Sequence, residues 1–403
     1  MLDIYLIAFS FLLSCIITLY AVPSIIKLAY QKRLFDDPAL ESRKIHKYRT
    51  PNIGGIAVLT SFAFTACLFI SGYTLPYANY IFASGVLIFS VGLKDDLAAL
   101  NPYKKFVAQL ITAFIVVFLA DVRLTSFYGV LGIHEIHPAV SYAFSSLLVV
   151  FIINAFNLID GINGLLGSIC LIVSLVFAYT FFQLGEYGLT MLASSLAGSI
   201  VGFLRYNAGR ARIFMGDAGA YTIGFVLSVL TIQFVEINAG IELAASSSIF
   251  VQSVPAVAIS ILIIPIFDTL RVIALRLVRG KSPFEADRNH LHHRLLDNGM
   301  SHNQVTLTLA AVNLLYIGVA FGFQHIGTVD LLILVGILTL VLNTLLWLFD
   351  VRKTSVAPSS TTTAVPIVPK TRATSLFAPE IEDHAHKLAK EAIQQLEEEA
   401  HKN

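Results

Sequence analysis

V-S-Y-A-F-S-S-L-L-V-V-F-I-I-N-A-F-N-L-I-D-G-I-N-G-L-L-G-S-I-C-L-I-V-S-L-V-F-A-Y-T-F-F, residues 140–182, carries one charged side chain, Asp160. Two apolar runs, 139–155 and 161–183, meet at a break made by Asn157 and Asp160. A helix rises about 1.5 Å per residue, so about 20 apolar residues cross about 30 Å of hydrocarbon. Each run is long enough to span a bilayer, and the pair reads as two transmembrane helices joined at one membrane face.

Nine further stretches of this kind flank the pair, near 3–22, 52–71, 77–93, 104–121, 188–204, 216–236, 247–270, 304–323 and 328–349. The composition agrees: 56 % of the 403 residues are hydrophobic and 13 % charged, against about 25 % charged in a soluble domain. The expected fold is therefore all-α, a polytopic membrane protein with about 11 transmembrane helices. A net charge of +1 excludes a nucleic-acid partner held by bulk electrostatics. Cys15, Cys67 and Cys170 all fall inside apolar runs, which excludes a disulfide framework. The first run has only Asp3 ahead of it and no evident cleavage site, so it is expected to stay as an anchor. Pro265 is expected to kink the ninth run near Asp268.

Lysine and arginine set the orientation. With eleven crossings, the linkers on one side hold 19 of the 27 basic residues, the other side holds Arg123, and seven follow residue 350. An error of one span would mix the two sets. The expected topology has the N-terminus outside and the C-terminus in the cytoplasm. Residues 1–350 are expected to form the transmembrane domain, and the motifs below make it the expected catalytic one. Residues 351–379, rich in Ser, Thr, Pro and Ala, read as a flexible linker, and 380–403, opened by Glu380, Glu382 and Asp383, as a cytoplasmic helix.

The polar residues worth notice lie on the basic side, at span ends, where ionisable groups are costly enough to be functional suspects. V-G-L-K-D-D ends the third span with Asp95 and Asp96, adjacent carboxylates that need a cation or a lysine such as Lys94, Lys104 or Lys105. N-A-F-N-L-I-D-G-I-N-G-L brings Asn154, Asn157, Asp160 and Asn163 to the fifth and sixth spans. Backbone broken there must be buried or line a cavity, and amide and carboxylate oxygens suit a hard cation such as Mg²⁺. R-I-F-M-G-D-A-G places Asp217 at the start of the eighth span, after Arg205, Arg210 and Arg212. That is a place for an anion or a metal, or for a plain N-cap. S-P-F-E-A-D-R-N-H-L-H-H-R gathers Arg288, His290, His292, His293 and Arg294. It reads as a phosphate clamp; a zinc site and a solvated surface are the alternatives. H-K-Y-R-T-P-N-I-G-G, His46 to Gly55, enters the second span with basic residues for headgroups and glycines for close helix approach.

In chain order, with H-K-Y-R-T-P-N-I-G-G first, the five motifs resemble the polyprenyl-phosphate N-acetylhexosamine-1-phosphate transferase superfamily. Within it they look most like the bacterial undecaprenyl-phosphate N-acetylglucosamine-1-phosphate transferases. The likeness runs from about residue 40 to 300. It implies a multi-pass enzyme of the bacterial cytoplasmic (inner) membrane, with its active site on the cytoplasmic face. The implied reaction moves GlcNAc-1-phosphate from UDP-GlcNAc to undecaprenyl phosphate, among membrane lipids, with Mg²⁺ (or Mn²⁺) as cofactor and room for a homodimer. By resemblance, Asn157 and Asp217 hold the metal and Asp160 shapes that site. Asp95 and Asp96 handle the lipid phosphate, and Arg288, His290, His292 and His293 bind the diphosphate and sugar. His46, Lys104, Lys105, Asn154 and Arg212 complete the expected substrate-binding set. The late loop departs from the muramoyl-pentapeptide branch, whose M-A-P-x-H-H-H is here D-R-N-H-L-H-H. Another UDP-HexNAc donor, or phospho-MurNAc-pentapeptide, is the alternative within the enzyme class. A secondary transporter is the alternative outside it, disfavoured because the carboxylates sit at span ends and no repeat is visible.

Overall fold

The computed structural model describes residues 2–34, 50–70, 73, 75–243, 251–282 and 290–356. Met1–Asp350 forms one compact unit; of a second, Val351–Asn403, the described residues are 351–356, all helical. The expected helix at 380–403 lies outside the described residues, as do His46 and Arg288.

The named elements among the described residues are all helical, and Ser126 and Glu135 form an isolated antiparallel bridge. In chain order the helices are α1 (Leu2–Lys32), α2 (Gly55–Ile70), α3 (Ala78–Leu97), α4 (Pro102–Phe114), α5 (Pro138–Leu158), α6 (Leu165–Gln183) and α7 (Tyr187–Asn207). They continue with α8 (Gly216–Leu243), α9 (Val254–Ile261), α10 (Ile263–Val278), α11 (Leu291–Asp297), α12 (His302–Gly322) and α13 (Thr328–Val356). A π-helical turn, Ile115–Leu119, prolongs α4. Among the described residues eight helices are long and apolar enough to cross a membrane, nine if the bent pair α9–α10 counts as one. The second and third apolar runs are also helical, as the 16-residue α2 and as α3. The three cysteines are free.

Local chemistry sets the boundaries. Asn101 caps α4 by accepting from the Tyr103 N–H at 2.9 Å, and Pro102 takes the first turn, where its missing donor costs nothing. Ser301 and Gln304 close a capping box on α12. The last helix runs to Val356, into the expected linker, because the first breaker is Pro358.

The ninth run breaks by 81° between Ile261 and Ile263, earlier than the kink expected near Asp268. Pro265 causes it from three residues further on. A proline ring collides with the carbonyl four residues before it, here Ile261, the last residue of α9. The freed carbonyl accepts from Asn313 Nδ2 on α12 at 3.3 Å. The second half then carries the helix to Val278, so Arg271 and Arg276 lie in α10 and not in the loop.

α7 and α8 form the enclosed centre of the unit, with α1, α2 and α6 packed on α7 and α3 and α5 on α8. α1 presents a stripe of small buried residues, Ser10, Ser14 and Thr18, four apart and so on one face. Thr18 hydrogen-bonds Ser61 of α2 at 2.5 Å.

Candidate active site

The first turn of α8 is held from three sides. A Cβ on Gly92 of α3 would stand 2.6 Å from Ala218 Cα, and one on Gly55 of α2 would meet the Gly219 backbone. Both helices therefore touch the start of α8 directly. Ahead of it, Gly54 and Gly55 donate backbone N–H groups to Phe214 and Met215 carbonyls at 2.9 and 2.8 Å, and Phe214 donates to Pro51 at 2.8 Å. The T-P-N-I-G-G and R-I-F-M-G segments are thus laced together. Gly216 sits at φ +77°, and any Cβ there would strike Asn52 and Asp96.

Asp96 caps α8 from another helix. Its Oδ1 accepts the Asp217 N–H at 2.8 Å and its Oδ2 the Ala218 N–H at 2.9 Å, while Asn52 Nδ2 donates to Oδ1 at 3.2 Å. Free N–H groups at a helix start favour negative charge, and here a carboxylate 121 residues away supplies it. Asp217 is therefore not an N-cap. Its Oδ1 accepts from Asn157 Nδ2 at 3.0 Å and its Oδ2 faces Lys105 Nζ at 3.2 Å. Lys105 also pairs with Asp95, whose Oδ1 takes the Leu100 N–H at 2.6 Å. Five of the expected residues, from α3, α4, α5 and α8, thus meet in one group.

Asp160 joins them across a cavity of about 190 Å³ that Asn157, Asp160, Gly161, Gly216 and Asp217 line together with Asn52 and Asn207. Its carboxyl is pushed well above the usual carboxylate range, first by burial and then by the charges of Asp217 and Asp96, against one backbone N–H from Gly216. Among the described residues, Lys105 thus pairs with two of the four carboxylates, Asp95 and Asp217. The donor set suits a hard cation: the carboxyl oxygens of Asp217 and Asp160 and the amide oxygen of Asn157, which line one cavity. Among the described residues no three His, Cys, Asp or Glu form a ready-made metal cluster. A cation here would complete its shell from water and phosphate, as Mg²⁺ commonly does.

The late loop reaches the same place through His292. A Cβ on Gly161 would fall on its ring, with Cε1 at 3.0 Å and Cδ2 at 3.1 Å. His292 is 1 % exposed, and its pKa drops to about 3, through burial first and then the neighbouring His293. It is a neutral imidazole, so the expected clamp has a polar ring here in place of a cation. The rings of His290, His292 and His293 lie 4.3–6.4 Å apart, centroid to centroid. Among the described residues they join no group that could hold a zinc ion.

Other expected residues lie elsewhere. Asn154, one turn before Asn157, exchanges hydrogen bonds with Gln109 of α4 at 2.7 and 3.2 Å and donates to Val150 O. Its amide is used in packing α5 on α4, so it positions and does not present itself to a ligand. Lys104 is exposed, because neighbouring helical residues point about 100° apart and Lys105 takes the inward direction. Arg212 is exposed with its guanidinium 5.6 Å from the centre of the Tyr206 ring.

Sequence reasoning missed Asn52, Asn207 and Asp268. Asn207 closes the loop below the cavity, accepting from Gly164 N–H at 2.8 Å and donating to Ile213 O at 2.9 Å. The T-P-N-I-G-G motif was a signal for Asn52; Asn207 gives none beyond a polar residue at a span end.

The family model of glycosyl transferase family 4 matches residues 78–235, which hold Asp95, Asp96, Lys105, Asn157, Asp160 and Asp217. The chain is 31 % identical over 307 residues to an undecaprenyl-phosphate alpha-N-acetylglucosaminyl 1-phosphate transferase of Salmonella typhi, covering 74 % of this chain and 79 % of that one. Its counterpart in Escherichia coli K12 gives the same identity and coverage over 308 residues. A decaprenyl-phosphate N-acetylglucosaminephosphotransferase of Mycolicibacterium smegmatis is 30 % identical over 301 residues, 70 % of this chain and 72 % of that one. Similarity of this extent, joined to a family match over the residues that build the carboxylate cluster, makes the chain a member of glycosyl transferase family 4.

Proposed function

We propose that the chain transfers GlcNAc-1-phosphate from UDP-GlcNAc to undecaprenyl phosphate, giving undecaprenyl-diphospho-GlcNAc and UMP. We place it at the cytoplasmic face of the bacterial inner membrane, as the first membrane step of a lipid-linked glycan. The coarser statement needs no proposal: it is a multi-pass phosphoglycosyltransferase of the GlcNAc-1-phosphate transferase type. The observation that carries the finer reading is one group of polar side chains: Asp95 and Asp217 on Lys105, Asn157 on Asp217, Asp96 on the first turn of α8, and Asp160 across the shared cavity.

The proposed topology has eleven crossings, N-terminus outside and C-terminus cytoplasmic. It is supported by which helix ends meet: the C-terminal ends of α3 and α5 and the N-terminal ends of α4 and α8, as alternating crossings require. In the proposed site Asp217 and Asn157 hold Mg²⁺ or Mn²⁺, with Asp160 shaping the pocket. The chemistry such a cation supplies is neutralisation of the diphosphate.

The chain's own groups do the rest. A lipid monophosphate has a second pKa of about 6 and is largely a dianion at neutral pH, so it needs orientation more than a base. Lys105, held between Asp95 and Asp217, orients it. Its oxygen attacks the sugar-bearing phosphorus, the bond to the UMP oxygen breaks, and UMP leaves. Asp96 keeps the start of α8, and so Asp217, in place. His290, His292 and His293 are assigned to the polyanionic donor in this reading, and the expected donor-binding roles of His46 and Arg288 fall on residues outside those described.

The test is purified full-length protein given undecaprenyl phosphate and a panel of UDP-sugars, with UMP release as the readout. Release with UDP-GlcNAc above the other donors is expected; no release with any donor would overturn the reading. Trapping a phosphorylated enzyme with UDP-GlcNAc in the absence of lipid would replace direct attack by a covalent route.

A further inference from the structure

Asp268 has no part in the transfer described above, yet it is a carboxylate buried to 1 % exposure in α10. Burying such a group is costly unless every oxygen is partnered. Its Oδ1 accepts the Leu291 N–H at 2.8 Å, and its Oδ2 stands 3.0 Å from His290 Nδ1 and 4.0 Å from His292 Nδ1. One side chain thus grips the N-cap and first residue of α11. A carboxylate only accepts, so the hydrogen in the shorter contact lies on His290 Nδ1, and the ring keeps Nε2 for another partner. The His290 ring stacks on His292 at 12° between planes, and His292 rests on Gly161, the neighbour of Asp160.

We propose that Asp268 is a positioning residue for the transfer: it fixes the tautomer and direction of His290, and through α11 the seat of His292, so that Nε2 of His290 meets the nucleotide sugar. This rests on the donor-binding role proposed for the late loop. Pro265 belongs to the same device, because the 81° break sets the direction of the helix that carries Asp268.

Asp268→Asn tests it with little change of shape. The amide oxygen can keep the Leu291 N–H, which turns the NH₂ toward His290 Nδ1 and forces the hydrogen to Nε2. Loss of a hydrogen bond to a charged partner costs about 10–100-fold, expected here in kcat/KM for UDP-GlcNAc. The KM for undecaprenyl phosphate should stay within about twofold, which general damage to the fold would not spare. In a His290→Ala background, Asp268→Asn should cost nothing further; full additivity of the two losses would overturn the proposal. A second measurement needs neither variant nor turnover. Nitrogen-15 spectra of the histidines in the intact protein should show His290 as the Nδ1–H tautomer, and the Nε2–H form would also overturn it. A wild-type protein that releases no UMP would instead fail the transfer reading, leaving the tautomer to judge the Asp268–His290 pair.

Discussion

Removing the Asp96 carboxylate should harm the fold before it harms any chemistry. Its two oxygens accept the Asp217 and Ala218 N–H groups in the first turn of α8 at 2.8 and 2.9 Å, and Asn52 leans on the same group. Hydrogen bonds to a charged partner contribute about 1.5–3 kcal/mol each, so Asp96→Ala should lose about 3–6 kcal/mol, where an ordinary exposed N-cap loses about 1. The larger figure applies because Ala218 is fully buried and the glycine contacts of α2 and α3 keep water from replacing the cap. Asp96→Asn can oppose only one N–H with its oxygen, and should lose about half as much. Asp95→Asn is the contrast: the amide can still accept from Leu100, and removal of one charge eases the crowding beside Asp217. Thermal midpoints in detergent, measured beside UMP release, should fall in the order wild type and Asp95→Asn, then Asp96→Asn, then Asp96→Ala, with activity reduced in all three variants. An Asp96→Ala protein as heat-stable as wild type but inactive would refute the capping argument and return Asp96 to the substrate.

Asp217→Asn and Asn157→Ala should each abolish UMP release with little loss of thermal midpoint, and chelation by EDTA should do the same until Mg²⁺ or Mn²⁺ is restored; full activity after chelation would remove the metal. Gly161→Ala meets the buried His292 ring, and overpacking of this kind costs about 1–3 kcal/mol; UMP release should fall, and unchanged kinetics would separate His292 from the site. His292 also predicts a pH dependence. Its folded pKa, about 3, lies below the ordinary 6.5. Between those values the unfolded chain binds the extra proton, so stability is lost as pH falls from about 6.5 toward 3. Around the ring, His290, His293 and His302 oppose its charge and Asp268 favours it; His292→Gln should flatten this limb of the midpoint–pH curve, and an unaltered slope would show that the proton goes elsewhere.

What could be read from the sequence follows from what a membrane penalises. Carboxylates and amides at span ends are conspicuous against hydrocarbon, so Asp95, Asp96, Asn157, Asp160 and Asp217 stood out before any geometry was known. How they divide the work did not. Two adjacent aspartates look equivalent in a string, but on a helix they point about 100° apart. One therefore meets the start of α8 and the other meets Lys105. The same rotation separates Lys105 from Lys104, and only the packing of α4 on α3 says which turns inward. Pro265 was legible as a bend but its site was not, because a proline disturbs the carbonyl four residues earlier. Asp268 stayed hidden for a related reason: its partners, 22 and 23 residues away, come to it across that bend. Residues that face substrate are the ones a sequence exposes, since their chemistry is out of place in a bilayer. Residues that hold those in position spend their polarity on backbone N–H groups and one ring nitrogen, and only folded coordinates reveal that expenditure.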